Sequence, residues 1–165
     1  MRLIFHIFYI VLIFSSPNFS AQTPSAPKYI RVTGGYLMVL KQGDSLFKEL
    51  KTLATQENIP SASFTGLGFA NIEFGFFNAK KKAYKKQMFK NMELASLDGS
   101  IAWQNGQPSI HAHGVGGDKN FRARAGHLMS AEVSTGSLEI MICVYQKRLE
   151  RRKDEVLGAD VLDLE

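Results

Sequence analysis

Short apolar runs punctuated by glycine fill the chain from Ser61 onward, and they constrain the fold more than any other feature of the sequence. Segments such as FANIEFGFFN and SLEIMICVYQ, rich in β-branched and aromatic residues, are typical of strands that end at turns. YIRVT and YLMVLKQ, separated by Gly34 and Gly35, predict a further strand pair joined by a tight turn. Many strands with a single helix predict an α+β domain with a largely antiparallel, twisted sheet.

One segment, GDSLFKELKTLATQENIP, has the apolar spacing of an amphipathic helix. Its apolar positions are Leu46, Phe47, Leu50, Leu53 and Ala54. We expect Asp44 to cap the free amides at the start of this helix and Pro60 to prevent its continuation. No other segment that follows the leader shows this spacing clearly.

The first 21 residues have the three-part pattern of a signal peptide. Arg2 precedes an apolar run over residues 3–14, and small and polar residues follow up to Ala21. The run is shorter than the roughly 20 apolar residues that cross a bilayer. We therefore expect cleavage after Ala21 and export to the periplasm or the extracellular space, with a retained membrane anchor as the alternative.

Four segments follow from these patterns. Residues 1–21 are the signal peptide, 22–28 a small, polar, proline-bearing linker, 29–146 a single globular domain and 147–165 a charged C-terminal tail. The tail leaves open a helical turn or two followed by a packing segment. With 45% hydrophobic and 21% charged residues, the chain suits one ordinary folded domain.

The formal net charge of +5 is modest and falls short of the concentrated basic stripe of a nucleic-acid-binding protein. Residues 80–90 nevertheless contain six lysines and no acidic residue. We interpret them as a solvated hairpin or edge strand whose lysines discourage edge-to-edge pairing, and a polyanion-binding patch is the alternative. Cys143 is the single cysteine, which excludes an intramolecular disulfide, and its apolar surroundings predict a buried thiol.

Every histidine after the leader lies in SIHAHGVGGDKNFRARAGH, residues 109–127. His111 and His113 are alternate residues of a predicted strand, so their imidazoles project from one face. Neutral imidazole is a good ligand for zinc and similar divalent metals, and an exchangeable site commonly has three protein ligands and one open position. With His127 as third ligand, the sequence predicts a divalent-metal site, and zinc is the first candidate for its ion. The alternative is three polar side chains bonded to backbone carbonyls.

A plain hairpin does not build this site. If residues 117–120 form the turn, His111 faces Gly126 and His113 faces Arg124, which places His127 on the opposite face of the sheet. The site then needs either a bulge at Gly126 or a His127 donated by a neighbouring subunit.

Other catalytic patterns are missing from the sequence. It contains no P-loop, no G-x-G-x-x-G, no G-x-S-x-G elbow and no H-E-x-x-H helix. Glu93, Asp98 and Asp118 would act as bases only if they reached the histidines, and no pattern places them there. The catalytic residues stay unassigned, and whether the protein is an enzyme stays open.

The order of these segments resembles the PPC domain, the plant-and-prokaryote conserved domain, over about residues 29–145. The resemblance is carried by TGLG at residues 65–68, ELASLDGSI at 93–101, HAH at 111–113 and GHL at 126–128. It implies a compact fold with one main helix against a curved sheet, assembled as a homotrimer. In bacterial and archaeal members that resemble metal proteins, histidines matching His111, His113 and His127 gather near subunit boundaries.

Plant members of this family join the domain to AT-hooks, and the family label "DNA-binding" descends from them. This chain contains no R-G-R-P hook of the kind that inserts into an A·T minor groove. Together with the export signal, this absence argues against a nuclear or nucleoid role, so a DNA-binding label would rest on analogy of fold.

Three functional hypotheses follow. The first is an exported, trimeric PPC-domain protein whose histidines bind zinc or a similar ion, either to bind a small-molecule ligand or for hydrolysis, in which the metal lowers the pKa of bound water. The second is a DNA-binding protein that uses residues 80–90. The third is a domain that mediates only protein association.

Overall fold

The computed structural model describes residues 26–164, so the predicted signal peptide and most of the predicted linker lie outside the described residues. Within this range eight strands form one sheet, and a single helix packs against it. The elements are β1 (Tyr29–Val32), β2 (Gly35–Lys41), α1 (Leu46–Gln56), β3 (Ser61–Asn78), β4 (Ala83–Gln104), β5 (Gln107–Gly117), β6 (Ala123–Tyr145), β7 (Glu150–Asp154) and β8 (Ala159–Asp163). The predicted N-terminal hairpin and helix are confirmed.

The sheet is antiparallel except where β7 runs parallel to β4, as the α+β prediction expects. Four strands close a ring of pairings: β3 pairs with β4 and β6, and β5 pairs with the same two strands. Such a ring requires the sheet to curve back on itself. The long strands accommodate the curvature at register shifts, one of them beside Gly68, whose φ of +138° suits glycine.

The hydrophobic core lies between α1 and the sheet. Leu46, Leu50, Leu53 and Ala54 are fully buried, as their helical spacing predicts, and burial of each leucine contributes about 2 kcal/mol. No helix in residues 26–164 is long and apolar enough to cross a membrane, since α1 has only 11 residues.

The predicted cap of α1 is wrong. Ser45, not Asp44, occupies the N-cap position, and its side chain makes no capping bond. The Asp44 carboxylate instead accepts hydrogen bonds from the backbone N–H of Lys41 at 2.9 Å and from Nζ of Lys28 at 2.7 Å. The Asp44 side chain therefore stabilises the turn before the helix rather than the first turn of the helix itself.

Cys143 is exposed, which contradicts the predicted buried thiol. It lies on β6, where Ile140 and Ile142 are buried while the intervening Met141 is 51% exposed. Alternate residues of a strand point to opposite faces, and here both faces are apolar in sequence although only one packs against the core.

The C-terminal tail forms an antiparallel hairpin, β7 with β8, rather than the helical turn that its sequence left open. The ion pair between Arg152 and Asp163, at 2.6 Å, joins the two strands. The hairpin is attached to the rest of the sheet through β4, where the backbone N–H of Trp103 donates to the carbonyl of Leu149.

Candidate metal centre

The structure brings His111, His113 and His127 together within one chain. His113 on β5 pairs directly with His127 on β6, and directly paired residues project from the same face of a sheet. The ring centroids are 5.2 Å apart between His111 and His113, 5.0 Å between His111 and His127, and 5.2 Å between His113 and His127. The three imidazoles thus form a nearly equilateral triangle.

A wider turn than predicted removes the register obstacle. The loop between β5 and β6 is residues 118–122, in which the Asp118 carboxylate accepts hydrogen bonds from the backbone N–H of Asn120 at 2.8 Å and of Arg122 at 3.0 Å. The predicted pairing of His113 with Arg124 is wrong, because His113 faces His127 instead. The three rings therefore meet with neither a bulge in the β5–β6 pairing at Gly126 nor a second subunit.

The spacing of the ring nitrogens fits a small divalent metal. One nitrogen from each ring lies within 4.8 Å of the other two, and Nε2 of His111 is 3.2 Å from Nε2 of His113. Tetrahedral zinc with bonds of about 2.0–2.1 Å separates its nitrogen ligands by about 3.3 Å. One pair is therefore already at ligand spacing, and an all-imidazole donor set suits zinc and its transition-metal neighbours.

Burial keeps His111 and His127 uncharged. It lowers the pKa of His127 to about 4, with further lowering by the charges of His111 and His113. The pKa of His111 is also lowered, first by burial and then by the charges of Arg151 and His113. Both rings are therefore neutral at pH 7, which is the form that binds a metal.

One nitrogen of the cluster has no partner. Nδ1 of His127 is buried and makes no hydrogen bond within the described part of the chain. Buried polar atoms are nearly always satisfied, and a bound ion or water is a common explanation for an exception. The donor chemistry and this orphaned atom together fit a metal site.

Tyr84 supports the site, and the sequence reasoning missed it. Its ring stacks on His127 at 4.9 Å with an interplanar angle of 26°. Gly75 lies opposite His127 on β3, and a Cβ there would come within 2.8 Å of both Tyr84 Cδ1 and Met129 Sδ. The absent side chain at residue 75 leaves room for the tyrosine. Tyr84 lies within the lysine-rich segment, and its contact with His127 depends on strand pairing that the local sequence does not show.

The three carboxylates considered as bases, which no sequence pattern placed at the histidines, do not join the cluster. Asp98 pairs with His113 in the β4–β5 register, but its carboxylate accepts a hydrogen bond from Ser96 Oγ at 2.5 Å. Glu93 and Asp118 line a different cavity. In residues 26–164 the three histidines are the group of ligand atoms that meets the spacing of a metal site.

The lysines of residues 80–90 are divided between a turn and a strand. Residues 80–82 belong to the turn before β4, and Lys85 and Lys86, as consecutive strand residues, point to opposite faces. Lys86 also lies 3.9 Å from Glu73. This end of β4 pairs only with β3 among the described strands, so the lysines follow a sheet edge rather than forming one basic patch.

A cavity of about 510 Å³ opens beside the cluster. Its walls include His111 and His127 on one side and the β7–β8 hairpin, with Arg151 and Lys153, on the other. The prediction of a charged tail gave no indication that the C-terminal residues reach the histidines.

Comparisons with known proteins identify the family. Residues 29–146 match the Plants and Prokaryotes Conserved (PCC) domain. PCC and PPC are two abbreviations for this same family. The solved structure of a candidate DNA-binding protein from Ralstonia eutropha JMP134 is 46% identical, with a TM-score of 0.81 over 84% of this chain and 96% of that one. A PPC protein from Pyrococcus horikoshii is 28% identical, with a TM-score of 0.73 over 86% of this chain and 97% of that one.

A metal-containing protein from Archaeoglobus fulgidus is 26% identical, with a TM-score of 0.69 over 76% of this chain and 89% of that one. No curated protein matches the sequence. Because the family match spans most of the chain and the predicted motifs lie within it, the chain belongs to the Plants and Prokaryotes Conserved domain family.

Proposed function

We propose that this protein is a metal-binding PPC-domain protein in which His111, His113 and His127 hold a divalent ion at the centre of a small-molecule site. Zinc is the first candidate for that ion. The observation that carries the proposal is the convergence of the three imidazoles within one chain. The Archaeoglobus relative, which is a metal-containing protein, supports it.

The chemistry of the site follows from its ligands. Three histidines leave one position of a tetrahedral metal open for a ligand. Zinc, when bound, supplies Lewis acidity and lowers the pKa of coordinated water. The chain itself contributes the neutral rings of His111 and His127 and the stacking of Tyr84 on His127, but no carboxylate in the cluster. The site therefore contains the groups needed to bind a ligand, but among residues 26–164 no carboxylate joins the cluster to act as a base in hydrolysis.

Metal analysis tests this proposal. The full chain, a His111→Ala/His113→Ala variant and a Gln107→Ala control on the same strand are each equilibrated with zinc, dialysed and analysed by mass spectrometry for metal. We expect about one ion per chain in the wild type and the control and almost none in the double variant, because one remaining imidazole does not retain zinc. Equal metal content in the double variant and the control removes the site.

Assembly as a homotrimer is part of the proposal. The family resemblance implies it, and apolar side chains on the outer face of the sheet support it: Val39, Leu67 and Met141 are 38%, 56% and 51% exposed. Light scattering of the purified protein measures the mass directly. A monomer over the accessible concentration range contradicts the trimer but leaves the histidine site intact, because one chain contains all three ligands.

We also propose that the protein is exported, from the pattern of residues 1–21. Mass spectrometry of the protein recovered from its producing cells tests this. A chain that begins at Gln22 is expected, and a chain that retains the leader in the cytoplasm contradicts it.

DNA binding is the second candidate function, favoured by the name of the Ralstonia relative as a candidate DNA-binding protein. The lysines of residues 80–90 would contact phosphates, although strand alternation divides them between two faces. Electrophoretic mobility at low and high salt tests this candidate, with Lys85→Gln/Lys86→Gln as the variant. DNA binding through these residues requires affinity that falls steeply with salt and falls further in the variant.

A further inference from the structure

The cavity beside the histidines is built partly by residues outside the family domain. The domain match ends at residue 146, whereas Arg151 and Lys153 on β7 and Asp160 on β8 line the cavity. The segment that leads into the hairpin is bonded to the domain, because Ser61 Oγ donates to the carbonyl of Lys147 at 2.6 Å. The C-terminal hairpin therefore forms one wall of the site.

Arg151 is the unusual residue of this wall. It is only 6% exposed, and its Nη2 donates to Ser100 Oγ at 2.7 Å. Its Nε is buried and has no hydrogen-bond partner, and no ion pair joins Arg151 to a carboxylate within residues 26–164. Burial lowers the pKa of Arg151, and the charge of Asp160 acts against this without forming an ion pair. A buried guanidinium with no carboxylate bonded to it is costly, and it gains from a bound anion.

Arg151 also lies next to the histidine cluster. Ser100, its hydrogen-bond partner, pairs with His111 in the β4–β5 register, so both project from the same face. The charge of Arg151 is one cause of the lowered pKa of His111. A ligand that contacts the guanidinium is therefore within reach of the imidazoles.

The charge of the cavity favours an anion. Lys82, Arg151 and Lys153 line it together with one acidic residue, Asp160. Nζ of Lys82 donates to the carbonyl of Glu155, and Nζ of Lys153 donates to the carbonyl of Gly158. Both acceptors are uncharged, so these hydrogen bonds do not neutralise the positive charges of the two lysines. Guanidinium presents a planar set of donors that matches the oxygens of a carboxylate or phosphate.

We propose that the cavity binds a small molecule through a carboxylate or phosphate group, with Arg151 as its anchor and Lys153 as a second cationic contact. The proposal deepens the proposed function, since it names the ligand class of the site, but anion binding at Arg151 does not require the metal. Arg151 is a binding residue of this chain's C-terminal hairpin rather than a structural arginine.

The test uses the full chain freed of metal and two separate calorimetric titrations, one with inorganic phosphate and one with acetate. We expect binding of at least one probe and a loss of about tenfold or more in Arg151→Met, as for the removal of a charge-assisted hydrogen bond. Lys153→Gln, an exposed position, should weaken binding a few-fold. Lys119→Gln, an exposed lysine outside the cavity, is the matched control and should bind as the wild type does.

The outcomes separate the ligand sources and the two proposals. Binding of phosphate alone identifies a phosphate ligand, and binding of acetate alone a carboxylate ligand. If Arg151→Met fails to fold by circular dichroism, Lys153→Gln decides the result. Absence of binding for both probes, or equal binding in the cavity variants and the control, overturns the anion site. Zinc binding without an anion response defeats this inference only, whereas an anion response without zinc binding defeats the metal proposal only.

Discussion

The neutral state of His127 makes the stability of the metal-free protein depend on pH in a defined direction. The pKa of this ring is about 4 in the folded chain and 6.5 when unperturbed. Below about pH 6.5 the unfolded chain therefore takes up a proton that the folded chain excludes until about pH 4. The free energy of unfolding must fall as the pH falls through this window, and the contribution of His127 stops changing below it.

The magnitude follows from the same values. At about 1.4 kcal/mol per pKa unit the difference corresponds to about 3 kcal/mol, and solvent screening of the partly exposed ring reduces the expected effect to about 1–2 kcal/mol. His111 adds to the effect in the same direction, because its pKa is also lowered. The carboxylates whose pKa values are lowered, such as Asp44, contribute mainly at the acidic end of the window.

Urea unfolding of the metal-free wild type and of His127→Gln isolates the contribution of His127 to the free energy of unfolding. Both proteins are measured at one protein concentration across the window from about pH 7 to about pH 4, because assembly would make the result depend on concentration. We expect the wild type to lose about 1–2 kcal/mol more than the variant, since glutamine does not titrate. Parallel curves for the two proteins would refute the reasoning that the fold keeps His127 neutral.

Three further predictions follow from the site and the core. Zinc at about 100 times its dissociation constant should stabilise the wild type by about 2.7 kcal/mol but not His113→Ala, as measured by thermal unfolding. Gly75→Ala should displace Tyr84 from its histidine and weaken zinc binding about tenfold in chelator competition, while Gly117→Ala, where a Cβ meets open space, should not; equal affinities contradict the role of the stack. Leu50→Ala should lower the free energy of unfolding by about 3 kcal/mol in urea, because its side chain is fully buried, and a loss under about 1 kcal/mol contradicts that burial.

The two histidines of β5 were predictable from sequence, and the position of the third was not. Alternation in a strand places His111 and His113 on one face whatever their neighbours are. Whether His127 shares that face depends on the length of the intervening turn, since a shift of one residue exchanges the two faces. The backbone bonds accepted by the Asp118 side chain set that length, and the apolar pattern does not contain this information.

The parts of the site contributed by distant residues were also beyond the sequence pattern. Arg151 reaches Ser100 across 51 positions of the chain, because the segment after β6 returns to β4 as a parallel strand. Tyr84 reaches His127 because β3 lies between their two strands and contributes a glycine there. Local periodicity describes one strand at a time, so contacts that depend on the closing of the strand ring appear only in the folded chain.

The closed ring of strands explains how the protein holds three imidazoles close together. β5 is held by β4 on one side and by β6 on the other, so the separation of His113 from His127 is set by backbone pairing rather than by a loop. At about 5 Å the rings would repel one another if protonated, and burial adds to that cost, so a metal need not displace protons from His111 and His127 at pH 7. Arg151 would act against a cation held by the histidines, and an oxyanion bound at the guanidinium would offset this repulsion. If both proposals hold, the cluster and the C-terminal hairpin form two halves of one site, because both line the same cavity.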